Sequence, residues 1–218
     1  YDAGAYRHAS TTLRELADQG HTTAQGVRAF MYLRGEGVQR DLSQAVRWAE
    51  QAAQAGDGPA QGLLAGFYAN GYGVERDDRM AAQWAKQAAE QGVARAQSLL
   101  ARFYFYGRGL PQDTAAAARW VQPAAEAGDA SAQALLAQMY HFGQGLPRDD
   151  ALALQWGERA AQHGAARAQL LLGLLYFKGR GVPQDFVRSH MWANLAAASG
   201  LRGAAGFRDQ MAQRMALT

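Results

Sequence analysis

The side chains with the clearest chemical potential in this chain are cations interleaved with aromatic rings. Arg95 and Arg102 are followed by Phe105 and Tyr106, His141 by Phe142, and Arg167 by Phe177 and Lys178. Guanidinium and aromatic groups carry much of the energy at protein-binding hot spots. Cations without carboxylates beside them select an acidic segment or a terminal carboxylate. Groups suited to covalent or acid–base chemistry are scarce. The acidic pairs Asp77-Asp78 and Asp149-Asp150 stand where a helix is expected to begin. There they favour the positive end of the helix dipole, whereas catalysis would need two environments that split their pKa values. The histidines His8, His21, His141, His163 and His190 are dispersed and form no tight ligand pair, so no metal is expected. There is no cysteine, which excludes thiol nucleophiles, disulfides and thiolate metal sites. No G-x-S-x-G motif occurs. G-x-G pairs recur, but they follow no strand and open no phosphate-binding helix, so no nucleotide cofactor is expected. Nothing converges as an active site does, and the chain is expected not to be an enzyme.

These residues are positioned by a repeat. Trp48, Trp84, Trp120, Trp156 and Trp192 lie 36 residues apart and are all the tryptophans of the chain. A period of that length marks a solenoid, in which each unit buries its apolar face against its neighbours. The units run 21–56, 57–92, 93–128, 129–164 and 165–200. In the third, Ala96, Leu99, Leu100, Phe103 and Tyr104 follow helical spacing and define a helix A. Two glycines follow in every unit, as Gly35 and Gly37 or Gly107 and Gly109, and allow a tight reversal. Asp41, Asp77, Asp113, Asp149 and Asp185 then stand at the N-cap of a helix B, and Asp41 with Gln44 is expected to form a capping box. Ala45, Trp48, Ala49, Ala52 and Ala53 give the buried stripe of the first helix B. Gly56, Gly92, Gly128, Gly164 and Gly200 end the B helices in left-handed conformation. The tryptophans and recurring tyrosines are expected to be core.

The ends and two internal positions depart from the pattern. Residues 1–20 match only a helix B, and residues 201–218 start as a helix A before placing Arg208 and Asp209 at packing positions. Both are expected to be capping helices of one solenoid domain spanning 1–218. Arg28 replaces the leucine of the other units and is expected to loosen the first helix A or to snorkel to solvent. Pro123 falls inside the third helix B, where a kink is expected. Hydrophobic residues make up 49% and charged residues 19% of the 218, which fits a folded chain. A net charge of +3 gives no case for nucleic acid without a clustered basic face. No apolar run is long enough to span a membrane. The first residue is Tyr1 and not Met. A periplasmic or secreted protein with its signal removed or trimmed is expected, with the cytoplasm as the alternative.

The pattern A-Q-x-x-L-A/G-x-x-Y-x-x-G-x-G-V/L-x-x-D-x-x-x-A-x-x-W-x-x-x-A-A-x-x-G resembles the Sel1-like repeat, a relative of the tetratricopeptide repeat. Its clearest copy runs from Ala168-Gln169 through Gly173, Tyr176, Gly179, Gly181, Asp185, Trp192 and Ala196-Ala197 to Gly200. The resemblance implies an all-α fold, a right-handed α/α superhelical solenoid of five helix-turn-helix repeats. It also implies a bacterial, non-catalytic adaptor that binds other proteins.

By analogy with tetratricopeptide repeats, helix A lines a concave groove. Its variable face then carries Phe30, Leu33 and Arg34; Gly66, Ala69 and Asn70; Arg95, Arg102, Phe105 and Tyr106; Gln138, His141 and Phe142; and Arg167, Phe177 and Lys178. No carboxylate occurs among them. The expected partner is therefore a protein that offers an acidic segment or C-terminus, bound by a monomer, with Arg102, Phe105, Tyr106, His141 and Phe142 near the groove's centre. The alternatives are an immunity protein that neutralises a secreted toxin, such as a type VI effector, and a module that binds glycan or peptidoglycan. Asn70 and Gln138 would serve sugar hydroxyls, and the lack of groove carboxylates counts against that last alternative.

Overall fold

A computed structural model describes residues 3–215, with side chains from residue 11 onward. The expectations that fall on residues 1, 2 and 216–218, and on the His8 side chain, lie outside the described residues. Twelve α-helices and no strand occur among the described residues. In chain order they are α1 (Ala3–Asp18), α2 (Thr22–Arg34), α3 (Leu42–Gln54), α4 (Gly58–Asn70), α5 (Asp78–Glu90) and α6 (Ala94–Tyr106). They continue as α7 (Thr114–Glu126), α8 (Ala130–Phe142), α9 (Asp150–Gln162), α10 (Ala166–Lys178), α11 (Phe186–Ala198) and α12 (Ala204–Met215). Even-numbered helices are the A helices and odd-numbered ones the B helices. The chain groups into two compact units, Tyr1–Gln112 and Asp113–Thr218, and the boundary falls inside the third repeat. No described helix is long and apolar enough to cross a membrane.

Each unit has an alanine-rich core. In the first, Ala45, Ala49, Ala52 and Ala53 of α3 pack with Ala29 of α2 and with Ala60, Leu64 and Phe67 of α4. Trp48 and Trp84 close the edge of this cluster, and Trp156 and Trp192 do the same in the second unit. The tryptophans are thus core residues at its margin, half-buried and not sealed. Tyr176 alone of the recurring tyrosines is fully buried.

Local chemistry sets the helix ends. Asp41, Asp77, Asp113, Asp149 and Asp185 all cap B helices, each accepting a backbone N–H of the first turn. The Asp41 side chain accepts from Gln44 N at 3.0 Å, but the reciprocal half of the expected capping box is replaced. The Asp41 N–H donates instead to the Tyr32 carbonyl at 3.0 Å, and Asp77, Asp149 and Asp185 repeat that bond with Tyr68, Tyr140 and Tyr176. The end of helix A is therefore tied to the start of helix B through backbone, leaving no donor for Gln44. At the B-to-A turn, Gly56 has φ 91°. Its N–H reaches Ala53 O, and Asp57 N reaches Ala52 O, both at 3.0 Å, which is a Schellman motif. The glutamine of the A-Q pair adds a clamp. Gln61, Gln97, Gln133 and Gln169 are buried and donate to Ala53, Ala89, Ala125 and Ala161 carbonyls at 3.1–3.4 Å. Those are carbonyls in the last turn of the preceding helix B, which helical bonding leaves unpaired.

The two internal departures, Arg28 and Pro123, are both accommodated within full-length helices. Arg28 does not snorkel. It is 9% exposed, its guanidinium lies 4.6 Å from the Trp48 ring centroid, and it donates to Tyr32 Oη at 3.1 Å. Two electron-rich rings hold the charge inside, so the first helix A is packed through cation–π contact where the other units use leucine. Pro123 does not break α7, which keeps the 13-residue span of the other repeat helices. The proline is exposed.

The second glycine of each loop has a role beyond the turn. At Gly73 a Cβ would stand 2.6 Å from the Leu42 carbonyl oxygen, and at Gly109, Gly145 and Gly181 it would strike the Asp78, Thr114 and Asp150 carbonyls. Each of these four loops thus rests directly on the first turn of the preceding helix B. Gly56 meets nothing within 4 Å. Gly56→Ala is therefore expected to cost only the left-handed backbone penalty, about 1–2 kcal/mol. Gly109→Ala adds a backbone collision and is expected to cost about 3 kcal/mol or more. Chemical denaturation of the two variants checks the order.

Candidate functional site

The residues expected on the binding face divide into three groups. Arg34, Asn70, Arg95, Arg102, Tyr106, Phe142, Arg167 and Lys178 are exposed, and Phe30 and Gln138 are half-buried. Phe105 and His141 are buried, at 4% and 6% exposure. Both occupy the same register position, and it points inward, so neither is available to a partner. Phe177 faces Phe186 and Phe207 at centroid distances of 5.8 and 6.0 Å, with Arg214 over its ring. It is the centre of an aromatic cluster that seats α12 and not a groove residue.

His141 has a structural partner. Its Nδ1 lies 2.5 Å from Asp150 Oδ1, and Arg148 Nη2 reaches the other carboxylate oxygen at 2.6 Å. Burial pushes the Asp150 carboxyl up, but hydrogen bonds from Arg148 and His141 bring it below its ordinary value. The first unit has a parallel arrangement at Asp78. Arg108 and Arg76 contact its two oxygens at 2.7 and 3.0 Å. Hydrogen bonds from Arg108 and then Arg76 lower its pKa to about 2. Both acidic pairs thus serve the frame: the first aspartate caps, and the second ties the loop of one repeat to a helix B.

Each unit carries an apolar hollow on its helix A side. In the first unit it holds about 400 Å³. Its walls are Phe30, Leu33, Pro59, Leu63, Phe67, Tyr72 and Val93, with Arg34, Asn70 and Arg95 at the polar positions. Gly62 and Gly66, one turn apart on α4, leave the space. The second unit holds about 270 Å³, lined by Ala134, Gln138, Phe142, Leu170, Leu171, Leu174 and Leu201 with Arg167 and Arg202. No carboxylate lines either hollow. Nine of the residues expected on the helix A face line them: Phe30, Leu33, Arg34, Gly66, Asn70 and Arg95 in the first unit, and Gln138, Phe142 and Arg167 in the second. Tyr72, Val93, Leu201 and Arg202 were missed because they lie in turns outside that helix. Arg102, Tyr106 and Lys178 are exposed but line neither hollow.

Two measurements separate frame from face. Asp78→Asn is expected to lose on the order of 1 kcal/mol, a screened value because Arg76 is largely exposed. A depressed carboxylate pKa stabilises above the unfolded value. The wild-type advantage should therefore be full above about pH 4 and vanish as pH falls toward about 2, as read from denaturation midpoints across that range. His141→Ala is expected to cost about 2–3 kcal/mol through the cavity and the loss of one of the two partners of Asp150. It should leave partner capture unchanged when assayed below the melting transition.

The Sel1 repeat family matches residues 24–57, 58–93, 94–129, 130–164 and 166–201. Among solved structures, the chain is 37% identical to c5321, a protective antigen present in uropathogenic Escherichia coli strains (TM-score 0.74). The match covers 88% of this chain and 41% of that one, so the chain spans about two fifths of the antigen's length. A Sel1 repeat protein from Oxalobacter formigenes is 32% identical over 93% of this chain and 80% of its own, with TM-score 0.80. The immunity protein Pa5087 from Pseudomonas aeruginosa shares the fold at 20% identity and TM-score 0.51, covering 84% of this chain and 68% of its own. No match was found among curated proteins. Five consecutive matches, two structures above 30% identity, and the same capped helix pair in every repeat agree: this chain is a member of the Sel1 repeat family.

Proposed function

We propose that the chain is a non-catalytic scaffold that binds another protein, holding an acidic segment of it against the exposed side chains of the A helices. Its main support is the pair of apolar hollows, each bordered by arginines and free of carboxylates. Arg102 and Tyr106, exposed on α6, extend the cationic and aromatic surface of the first unit. Apolar area supplies the driving force, and guanidinium groups supply orientation through charge-assisted hydrogen bonds. The bacterial envelope or exterior is the compartment we propose. Toxin neutralisation is a second reading, because an immunity protein carries the same fold. It differs in requiring one dedicated partner that is harmful when the chain is absent.

Affinity capture from the native host's envelope fraction, read by mass spectrometry, tests both. Arg102→Glu with Tyr106→Ala is expected to abolish capture and leave helicity and melting temperature nearly unchanged. Capture that survives both changes rejects the helix A assignment. Capture lost instead on changing the exposed stripe Val187, Met191 and Leu195 of α11 moves the interface to the helix B side. A captured toxin, with growth inhibition on deleting this chain, selects the immunity reading.

A further inference from the structure

The hollow of the first unit is made by missing side chains. Gly66 occupies the register position filled by Phe30, Arg102, Gln138 and Leu174, and Gly62 that of Gly26, Ser98, Ala134 and Leu170. Helix α4 is the one repeat helix with glycine at both positions, though glycine in a helix interior costs about 0.5–1 kcal/mol relative to alanine. Neither glycine is needed for its backbone angles, since both lie inside the helix with φ in the ordinary range. Close packing does not demand Gly66 either: a Cβ there meets nothing within 4 Å. The two glycines keep a space of about 400 Å³ open, within the range of a ligand-sized pocket.

The polar groups say what enters it. Arg34 and Arg95 line the hollow. Arg34 has only a 3.5 Å contact to Glu36, with both side chains more than half exposed, a pair worth little in water. Arg34 is the last residue of α2 and Arg95 the second of α6. At roughly 1.5 Å per residue they stand about 16 Å apart along the helix direction. One compact carboxylate does not reach both. A chain that bears carboxylates on either side of an apolar residue does, and at about 3.3 Å per residue it needs at least about five extended residues.

We infer that the Gly62–Gly66 hollow is an anchor pocket for one large apolar side chain, flanked by acidic residues, in an extended segment of the partner protein. This rests on the proposed helix A binding face and adds to it the identity of the anchored residue. The large apolar side chain supplies the buried area, and the two arginines fix the direction of the chain through its carboxylates.

Fluorescence anisotropy with the full chain tests this. The probe is a labelled synthetic peptide, Glu-Asp-Gly-Phe-Gly-Asp-Glu. One companion has alanine for the phenylalanine, and another has lysine for every acidic residue. The phenylalanine probe is expected to bind at least tenfold more tightly than the alanine probe, and the lysine probe not to bind. Gly66→Leu, which installs the Leu174 side chain of the fifth repeat, should bring the phenylalanine probe down to the alanine level with a circular dichroism melt that is not lowered. Arg95→Ala should weaken both acidic probes by a similar factor. Equal binding of the phenylalanine and alanine probes, or a preference that survives Gly66→Leu, overturns the anchor pocket. In that case acid-dependent binding leaves the wider face intact. Failure of every probe also overturns the anchor, and capture by the Arg102 and Tyr106 variant decides the wider face separately.

Discussion

Backbone resting on backbone is the contact on which the rest of this architecture depends. In each unit the loop after a helix A lies so close to the first turn of the preceding helix B that no Cβ fits at Gly73, Gly109, Gly145 or Gly181. Side chains can yield by changing rotamer; a carbonyl in a capped helical turn cannot. The spacing between successive repeats within a unit is thereby set by atoms common to every residue. The buried glutamine clamp works at the opposite turn, where Gln61 and its equivalents bond the last carbonyls of helix B. Each repeat from the second to the fifth is thus joined to its predecessor at both ends, and the side chains between those joints can vary.

That freedom is visible where one register position carries different chemistry. The inward position of helix A holds Phe105 in one repeat and His141 in the next, and both are buried. The histidine is accepted because Asp150 stands against it, with Arg148 completing the pair. Where the register offers leucine elsewhere, Arg28 is buried because Trp48 and Tyr32 present ring faces to its guanidinium. Buried polar groups of this kind need their partners in place, and here the partner lies in the same repeat. The helices that carry these exchanges, α2 and α8, keep the 13-residue span of the other repeat helices.

These exchanges also mark the limit of what the sequence disclosed. The tryptophan period, the five capping aspartates and the left-handed glycines repeat identically, so one reading served five times, and the whole helix order was legible from it. The errors fall where a residue departs from its register mates. His141 and Phe105 look like binding residues by type, and only the helix face they occupy reveals that they are interior. Arg28 looks like a snorkelling cation because its aromatic partner lies 20 residues on, across a turn. The hollow was the hardest feature to see. Glycine within a helical pattern reads as a weak point in the helix, and an absence of atoms at Gly62 and Gly66 gains meaning only when Phe30, Leu63 and Val93 stand around it.

Exposed apolar surface alone does not distinguish the two sides of this protein. Val187, Met191 and Leu195 of α11 are 71%, 45% and 42% exposed, at positions filled by Ser43, Arg47 and Gln51 in the first repeat and by Arg79, Gln83 and Gln87 in the second. Such a ridge offers area for contact. It lines neither of the two hollows. The helix A hollows offer apolar walls and guanidinium groups together, and the combination matters because hydrophobic burial is non-directional. A partner held by area alone can slide or be replaced by another of similar polarity. One whose carboxylates must also meet arginines at separate helix ends is fixed in register, since a wrong register forfeits charge-assisted bonds that water only partly replaces. Specificity in a repeat protein is more readily built on the side where the variable residues combine both kinds of contact, and in each unit of this chain that is the helix A side.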